Sequence, residues 1–393
     1  STGSHNRPGG AAERHGPTGG TMPAESADLG PLVDHHCHGL VLHDLDRSSF
    51  EAMMNEAAAA SPLGTSLFDS MLGLAVRRWC APVLGLDAHA SAEDYLARRR
   101  ELGVEASRLL VAAAGIETFL VDTGVGGERL CSPAELAAMV GGTAYEVVRL
   151  ETLAEDLLQD GITPADFAAA VERTLHESTA VAAKSVAAYR VGLDLPSEPP
   201  STDALVSALR NLRPSAGVRY RIADPVINAW LAWAAIETGT PLQIHVGYGD
   251  ADIDLLRADP LRLTPFLRAI EKRGTPVLLL HNYPFHRHAA YLAQVFGHVF
   301  IDIGLAVHNT GALSQALIRE TLELAPFGKL LFSSDAYGLA EFYYLGALLF
   351  RHGLSAVLGE LIKAGEMTSQ DADHTASLIA RDNARRVYRL SIA

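Results

Sequence analysis

The residues here that could do chemistry are histidines and one aspartate, each closing a short apolar run. Leu32-Val33 leads into Asp34-His35-His36-Cys37-His38-Gly39. In an extended segment residues i and i+2 point the same way, so His36 and His38 can face one ion together. The same alternation turns His35 and Cys37 away, and Cys37 reads as a packed thiol. Further along, Leu242-Gln243-Ile244 ends in His245 and Val277-Leu278-Leu279-Leu280 ends in His281. Leu330-Leu331-Phe332-Ser333-Ser334 ends in Asp335. A lone histidine is weak evidence, because His is also a common polar core residue. An ordered set of imidazoles and a carboxylate at run ends is a much stronger sign of a metal site. Such donors suit zinc first, with manganese and iron as alternatives.

These positions need elements that bring them together. Eight β-rich runs recur: Pro31–Val33, Gly115–Val121, Tyr145–Leu150, Ala180–Tyr189, Pro241–Val246, Pro276–Leu280, Val299–Ile303 and Lys329–Phe332. Most are apolar on both faces, as strands buried in a parallel sheet are. Helical patterns lie between them at Ser132–Val140, Pro164–Leu175, Ile227–Glu237 and Leu261–Lys272. Thr163 is the expected N-cap before Pro164, and Gly239 and Gly274 are expected stops. Eight alternations predict an α/β fold, a (β/α)8 TIM barrel, whose C-terminal strand ends share one mouth. The first two strands are about 80 residues apart, far beyond a usual connection. Ser48–Ala60, Ser66–Trp79 and Ala92–Ala114 read as helical, so a helical insertion over about 44–114 is expected after strand one. A last helix is expected over Ala372–Val387.

The chain has 393 residues, with 32 Lys+Arg against 46 Asp+Glu and a net charge of −14. That balance argues against a nucleic-acid surface and lends no support to an anionic membrane as partner. Apolar residues reach 48%, enough for a sizeable core over 29–393. Residues 1–28 are rich in Gly, Pro, Ser and Thr and are expected to form a flexible tail, so His5 and His15 are set aside. Three scattered cysteines make no disulfide framework, and a cytoplasmic location is expected. A small-molecule substrate is the expected partner; a homodimer stays open.

Polar residues near the strand ends are candidates for substrate contact. Arg149 and Glu151 close the third run, and Tyr189 and Arg190 the fourth. An arginine there can hold a carboxylate in a bidentate pair, or form a rim salt bridge with a neighbour. Tyr283 and Tyr248 can line a pocket or simply pack. Asp302, Glu117 and Asp122 are candidates to hold a ligand histidine from behind. His286 and His288 repeat the HxH spacing but follow Pro284, where a helix is expected to splay them. Gly247-Tyr248-Gly249 lacks the rest of a dinucleotide fingerprint, and no GxSxG elbow surrounds Ser333 and Ser334.

The sequence resembles the amidohydrolase superfamily over roughly 31–390. The likeness rests on His36-Cys37-His38, His245, His281 and Asp335. It is nearest the amidohydrolase-2 type, in the branch found joined to glutamine-synthetase-like domains. Lys184-Ser-Val-Ala-Ala-Tyr-Arg-Val-Gly-Leu193, His245-Val-Gly-Tyr-Gly-Asp250, Leu280-His-Asn-Tyr-Pro284 and Ser333-Ser-Asp-Ala336 carry that finer likeness. The resemblance implies a metal-dependent hydrolase acting on a C–N bond through an activated water. A γ-glutamyl amide is the substrate it suggests. Nonoxidative decarboxylation of a small aromatic or unsaturated acid is the alternative, and a noncatalytic metal-binding barrel the third reading. The implied ligands are His36, His38, Lys184, His245, His281 and Asp335, for one or two ions. Lys184 enters as a carboxylated bridge in two-metal relatives; otherwise a buried lysine needs an acid or a substrate anion. Asp335 is implied as proton shuttle, with His245 or His281 orienting the substrate.

Overall fold

The structure, a computed structural model, describes residues 29–214 and 219–391. The tail expected over 1–28 lies outside the described residues.

Seven strands form one sheet: β1 (Leu32–Cys37), β2 (Ile116–Asp122), β3 (Thr143–Arg149), β4 (Ala182–Ser185), β5 (Leu242–Val246), β6 (Val277–His281) and β7 (Val299–Ile301). Their spatial order is their sequence order, and every pair is parallel. Parallel neighbours need crossovers, and helices supply them. The result is a curled α/β half-barrel.

The expected eighth strand takes another form. Leu330 forms an isolated parallel bridge to Ile301, and Leu331 N donates to Ile301 O at 3.0 Å. On the other side His35 N donates to Phe332 O at 3.2 Å, and Asp335 N to His36 O at 3.0 Å. One extended segment therefore bonds to both β7 and β1. It bonds at scattered points rather than in a regular ladder, and it ends at Asp335, whose φ of 49° lies in the left-handed region.

β4 is shorter than the expected Ala180–Tyr189. Ala187–Arg190 is a helical turn, so Tyr189 and Arg190 lie beyond the strand. Glu151 falls in the helix Leu150–Gln159 rather than on β3. The helix expected from Pro164 starts at Phe167 with Asp166 at its N-cap position; Thr163 Oγ1 donates to the Asp166 carboxylate at 2.6 Å. The last helix is broken by a π turn at Leu378–Asp382. Between β1 and β2 lie Arg47–Ala52, Met71–Ala75, Ala92–Leu102 and Val104–Ala114. Gly103, at φ 57°, splits the expected Ala92–Ala114 helix in two.

The core has two parts. The larger packs the helices against the outside of the sheet. The smaller fills the curl with Val33, Leu120, Val147, Ala182, Leu278, Leu280 and Leu331, with Val387 and Tyr388 packed against them.

Candidate metal centre and cavity

His36 and His38 project together from the end of β1, as strand alternation requires. The His36 Nε2 lies 3.2 Å and the His38 Nε2 3.4 Å from Asp335 Oδ1. One donor atom from each of the three falls within 4.8 Å of the others. His281 Nδ1 approaches the other carboxylate oxygen at 3.3 Å.

The hydrogen bonds behind these rings set their tautomers. Gln243 Nε2 donates to His35 O and to the Tyr388 hydroxyl, each at 2.8 Å. Its Oε1 must then accept from His36 Nδ1, 2.8 Å away. His38 Nδ1 faces the Asp122 carbonyl at 3.1 Å, and a carbonyl can only accept. Both rings thus carry their proton on Nδ1 and turn an Nε2 lone pair toward Asp335. Two lone pairs and a carboxylate oxygen facing one point repel unless a cation joins them. Asp335 Oδ1 and His281 Nδ1 are also buried without a hydrogen-bond partner. This donor set fits a divalent cation.

Electrostatics agree. Burial, helped by the Lys184 charge, lowers His36 to about 4 and His245 to about 3. Burial also lowers His281 well below the usual histidine value. All three are neutral at pH 7, the state a ligand needs. Burial alone would raise the Asp335 carboxyl; it lies well below the carboxylate range where positive charge faces it, from protonated His281, His36 and His38 or, with those rings neutral, from a cation held between them.

Lys184 sits on β4 with its Nζ 3.1 Å from His36 Nε2, donating to that lone pair. Burial pushes it down to about 8 against the raising fields of Asp122 and Asp335. His245 is placed differently. Its Nε2 meets the Tyr248 carbonyl at 3.1 Å, and its ring packs 4.5 Å from that of His281. The ring therefore stands next to the metal candidates, with Nε2 engaged elsewhere.

The backbone at the site is held in a costly conformation. His281, Asn282 and Asp335 have φ of 68°, 62° and 49°. Asp302 pins the first two: its Oδ1 accepts from His281 N at 2.8 Å, and its carbonyl accepts from Asn282 Nδ2 at 2.9 Å. Asp302 thus supports the backbone of His281, while its Oδ2 lies 2.9 Å from His35 Nε2. Asp34 pins the third, because both its oxygens bond Ser334.

A cavity of about 1070 Å³ opens over this centre and is lined by His38, Lys184, His245, His281 and Asp335. Arg149 also faces it, paired with Asp122 Oδ2 through Nε at 3.1 Å and Nη2 at 2.7 Å. Tyr189 packs 4.4 Å from the His245 ring, and Arg190 lines the wall beside it. Glu151 is fully buried outside the cavity, accepting from Ser185 Oγ and Val186 N at 2.9 Å each. Tyr283 does not line it; its ring is partly exposed and stacks on His286. His286 and His288 pair with Glu320 and Asp259, away from the centre. Glu117 pairs with Arg385.

Three residues escaped sequence reasoning. Gln243 lies two before His245 on β5, so alternation alone could have flagged it. His308 lines the cavity from the helix after β7, stacked 4.6 Å from Phe342. Glu56 reaches the cavity from the β1–β2 connection, and burial near Asp335 and Asp250 raises it to about 7. No sequence signal marks Glu56 within its Ala-rich surroundings.

The amidohydrolase-2 family model, described as Amidohydrolase, matches residues 154–390. The chain belongs to the amidohydrolase family. This amidohydrolase is 27% identical over 92% of its length to Protein fluG of Emericella nidulans, and spans 46% of that longer protein. Among solved structures it superposes with a TM-score of 0.80 on a Lactobacillus casei protein provisionally named a metal-dependent hydrolase. The two are 29% identical, covering 92% of this chain and 96% of the other. A uronate isomerase of Bacillus halodurans shares the fold, with a TM-score of 0.63 at 14% identity over 93% and 95% of the two chains. Family and neighbour together support a hydrolase-type, metal-dependent enzyme.

Proposed function

We propose that this amidohydrolase cleaves the C–N bond of a small amide, with a γ-glutamyl amide as the first substrate class to test. The observation that carries the reading is the convergence of the His36 and His38 lone pairs on Asp335 at the floor of the cavity. His36, His38 and Asp335 would hold a divalent ion, zinc first, and His281 stands ready as a further ligand. Such an ion supplies Lewis acidity and a water-derived nucleophile at neutral pH.

The chain's own groups divide the remaining work. Asp335, ionised at neutral pH, offers Oδ2 to take the proton of the attacking water and return it to the leaving nitrogen. Gln243 and the Asp122 carbonyl keep the two β1 histidines in the required tautomer. The His245 ring, flanked by Tyr189 and His281, forms the wall against which the scissile group is oriented. Lys184 adds positive charge beside the centre, where it can hold a substrate oxygen; only as a carbamate, with that charge lost, would it serve as a bridging ligand.

The test is product analysis on metal-supplied protein with a panel of small amides and of aromatic and unsaturated acids. Release of ammonia or amine supports the proposal. Release of carbon dioxide from the acids, with the amides untouched, replaces it with the decarboxylase reading.

A further inference from the structure

The guanidinium of Arg190 is the unusual group in the cavity wall. Its side chain is only 10% exposed, yet its one ion-pair contact among the described residues is a long one, 3.4 Å from Nη2 to Glu155 Oε1. That same Glu155 oxygen already accepts from Ile222 N at 2.8 Å. The other terminal nitrogen, Nη1, is buried with no hydrogen-bond partner among the described residues. Of the other cavity guanidiniums, Arg129 is exposed and donates Nε to Gly126 O at 3.3 Å, and three are paired with acids. Arg149 is forked onto Asp122, and Arg219 and Arg221 pair with Asp156 and Asp252 in exposed positions. Leaving a charged donor buried and unpaired is costly, and folds keep such groups where a partner arrives later.

We propose that Arg190 is the anchor for a carboxylate on the substrate, so that the enzyme acts on amides of anionic acids. Arg190 lines the same cavity as Asp335 and His281, so a molecule filling that cavity meets both. Its carboxylate would pair with the guanidinium and complete the charge balance that Glu155 leaves partial. Arg149 stands close enough to Arg190 for each to feel the other's charge, which adds attraction for an anion. Burial lowers the Arg190 pKa from its usual value, consistent with a cation short of counter-charge. The identity of the scissile end rests on the C–N hydrolysis reading above; the carboxylate anchor does not.

The test uses the full chain with metal supplied and a series of ω-amides: malonamate, succinamate, glutaramate and adipamate, each beside its uncharged diamide. Binding is measured by calorimetry for wild type, Arg190→Gln, Arg190→Lys and Arg219→Gln. At least one monoanion should bind wild type roughly ten- to a hundredfold tighter than its diamide, as a charge-assisted bond predicts. Arg190→Gln should abolish that preference, Arg190→Lys should keep part of it, and Arg219→Gln should keep it whole. Equal binding of anions and diamides by wild type, or no binding of any anion, overturns the proposal. So does a preference that survives in Arg190→Gln. If Arg190→Gln fails to fold, the wild-type preference and its reduction in Arg190→Lys decide. Ammonia release is read separately: a charge preference without ammonia keeps the anchor and removes the hydrolysis reading, and ammonia without a preference does the reverse.

Discussion

Gln243 does not line the cavity, yet the metal centre depends on it. Gln243→Leu removes the acceptor for His36 Nδ1 and the donors to His35 O and the Tyr388 hydroxyl, three contacts of 2.8 Å each. His36 is then free to rotate or to carry its proton on Nε2, where it cannot bind an ion. Loss of such a supporting contact weakens metal binding by about 10–100-fold. That corresponds to about 1.4–2.7 kcal/mol. The fold also suffers, since each orphaned buried group costs about 1–3 kcal/mol. Gln243→Glu separates the two effects. It keeps an acceptor for His36 but offers His35 O no donor. Both variants should melt below wild type, while only Gln243→Leu should lose metal affinity. The assay is competition with a calibrated chelator, alongside thermal melts. Wild-type affinity in Gln243→Leu would refute the tautomer argument, as would equal losses in the two variants.

Other expectations follow from the same geometry. Asp335→Asn should lower kcat by about 10²–10⁴-fold while circular dichroism stays unchanged, because the proton carrier is gone; a fully active variant would remove the shuttle role. His308 is held at about 4 by burial, so its folded pKa lies below the unfolded value of 6.5. Unfolded chains therefore bind its proton first, and wild type loses stability as pH falls from 6.5 toward 4. His308→Phe should gain on wild type across that window by up to about 3 kcal/mol, read from denaturant melts at several pH values. Arg99 donates to the fully buried Glu341 at 2.8 Å, tying Ala92–Leu102 to the long helix Ala340–Ala364. Arg99→Met should cost about 3–5 kcal/mol in a thermal or denaturant melt, since it leaves the buried Glu341 without its counter-charge and with only the Tyr95 hydroxyl as donor.

Much of this was legible because strand alternation and strand ends are written locally. His36 and His38 face one way, and Cys37 the other, from a period of two alone. His245 and His281 close β5 and β6 where the apolar runs end. The sequence could not show that His245 spends Nε2 on the Tyr248 carbonyl, since that depends on how a loop folds back. It could not show that Glu151 turns into a helix and is sealed away from the cavity. Nor could it place Tyr189 and Arg190, because Lys184-Ser-Val-Ala-Ala-Tyr reads as continuous strand while the chain coils after Ser185. The eighth run reads as an ordinary strand too. In the structure it pairs only at isolated points and ends at Asp335 in a left-handed backbone, beside Ser334, which Asp34 grips across 300 positions of sequence. Glu56 and His308 were hidden for the same reason: distant segments bring them to the cavity.

The most direct test of the account is the metal content of the purified full chain by elemental analysis, before and after resupply, with turnover measured on the same samples. Wild type should hold about one or two equivalents of a divalent metal per chain and lose activity with them. A His36→Ala, His38→Ala double variant should hold none and be inactive while remaining folded. A wild-type protein that binds no metal after resupply, or a double variant that keeps its metal and its activity, would contradict the account.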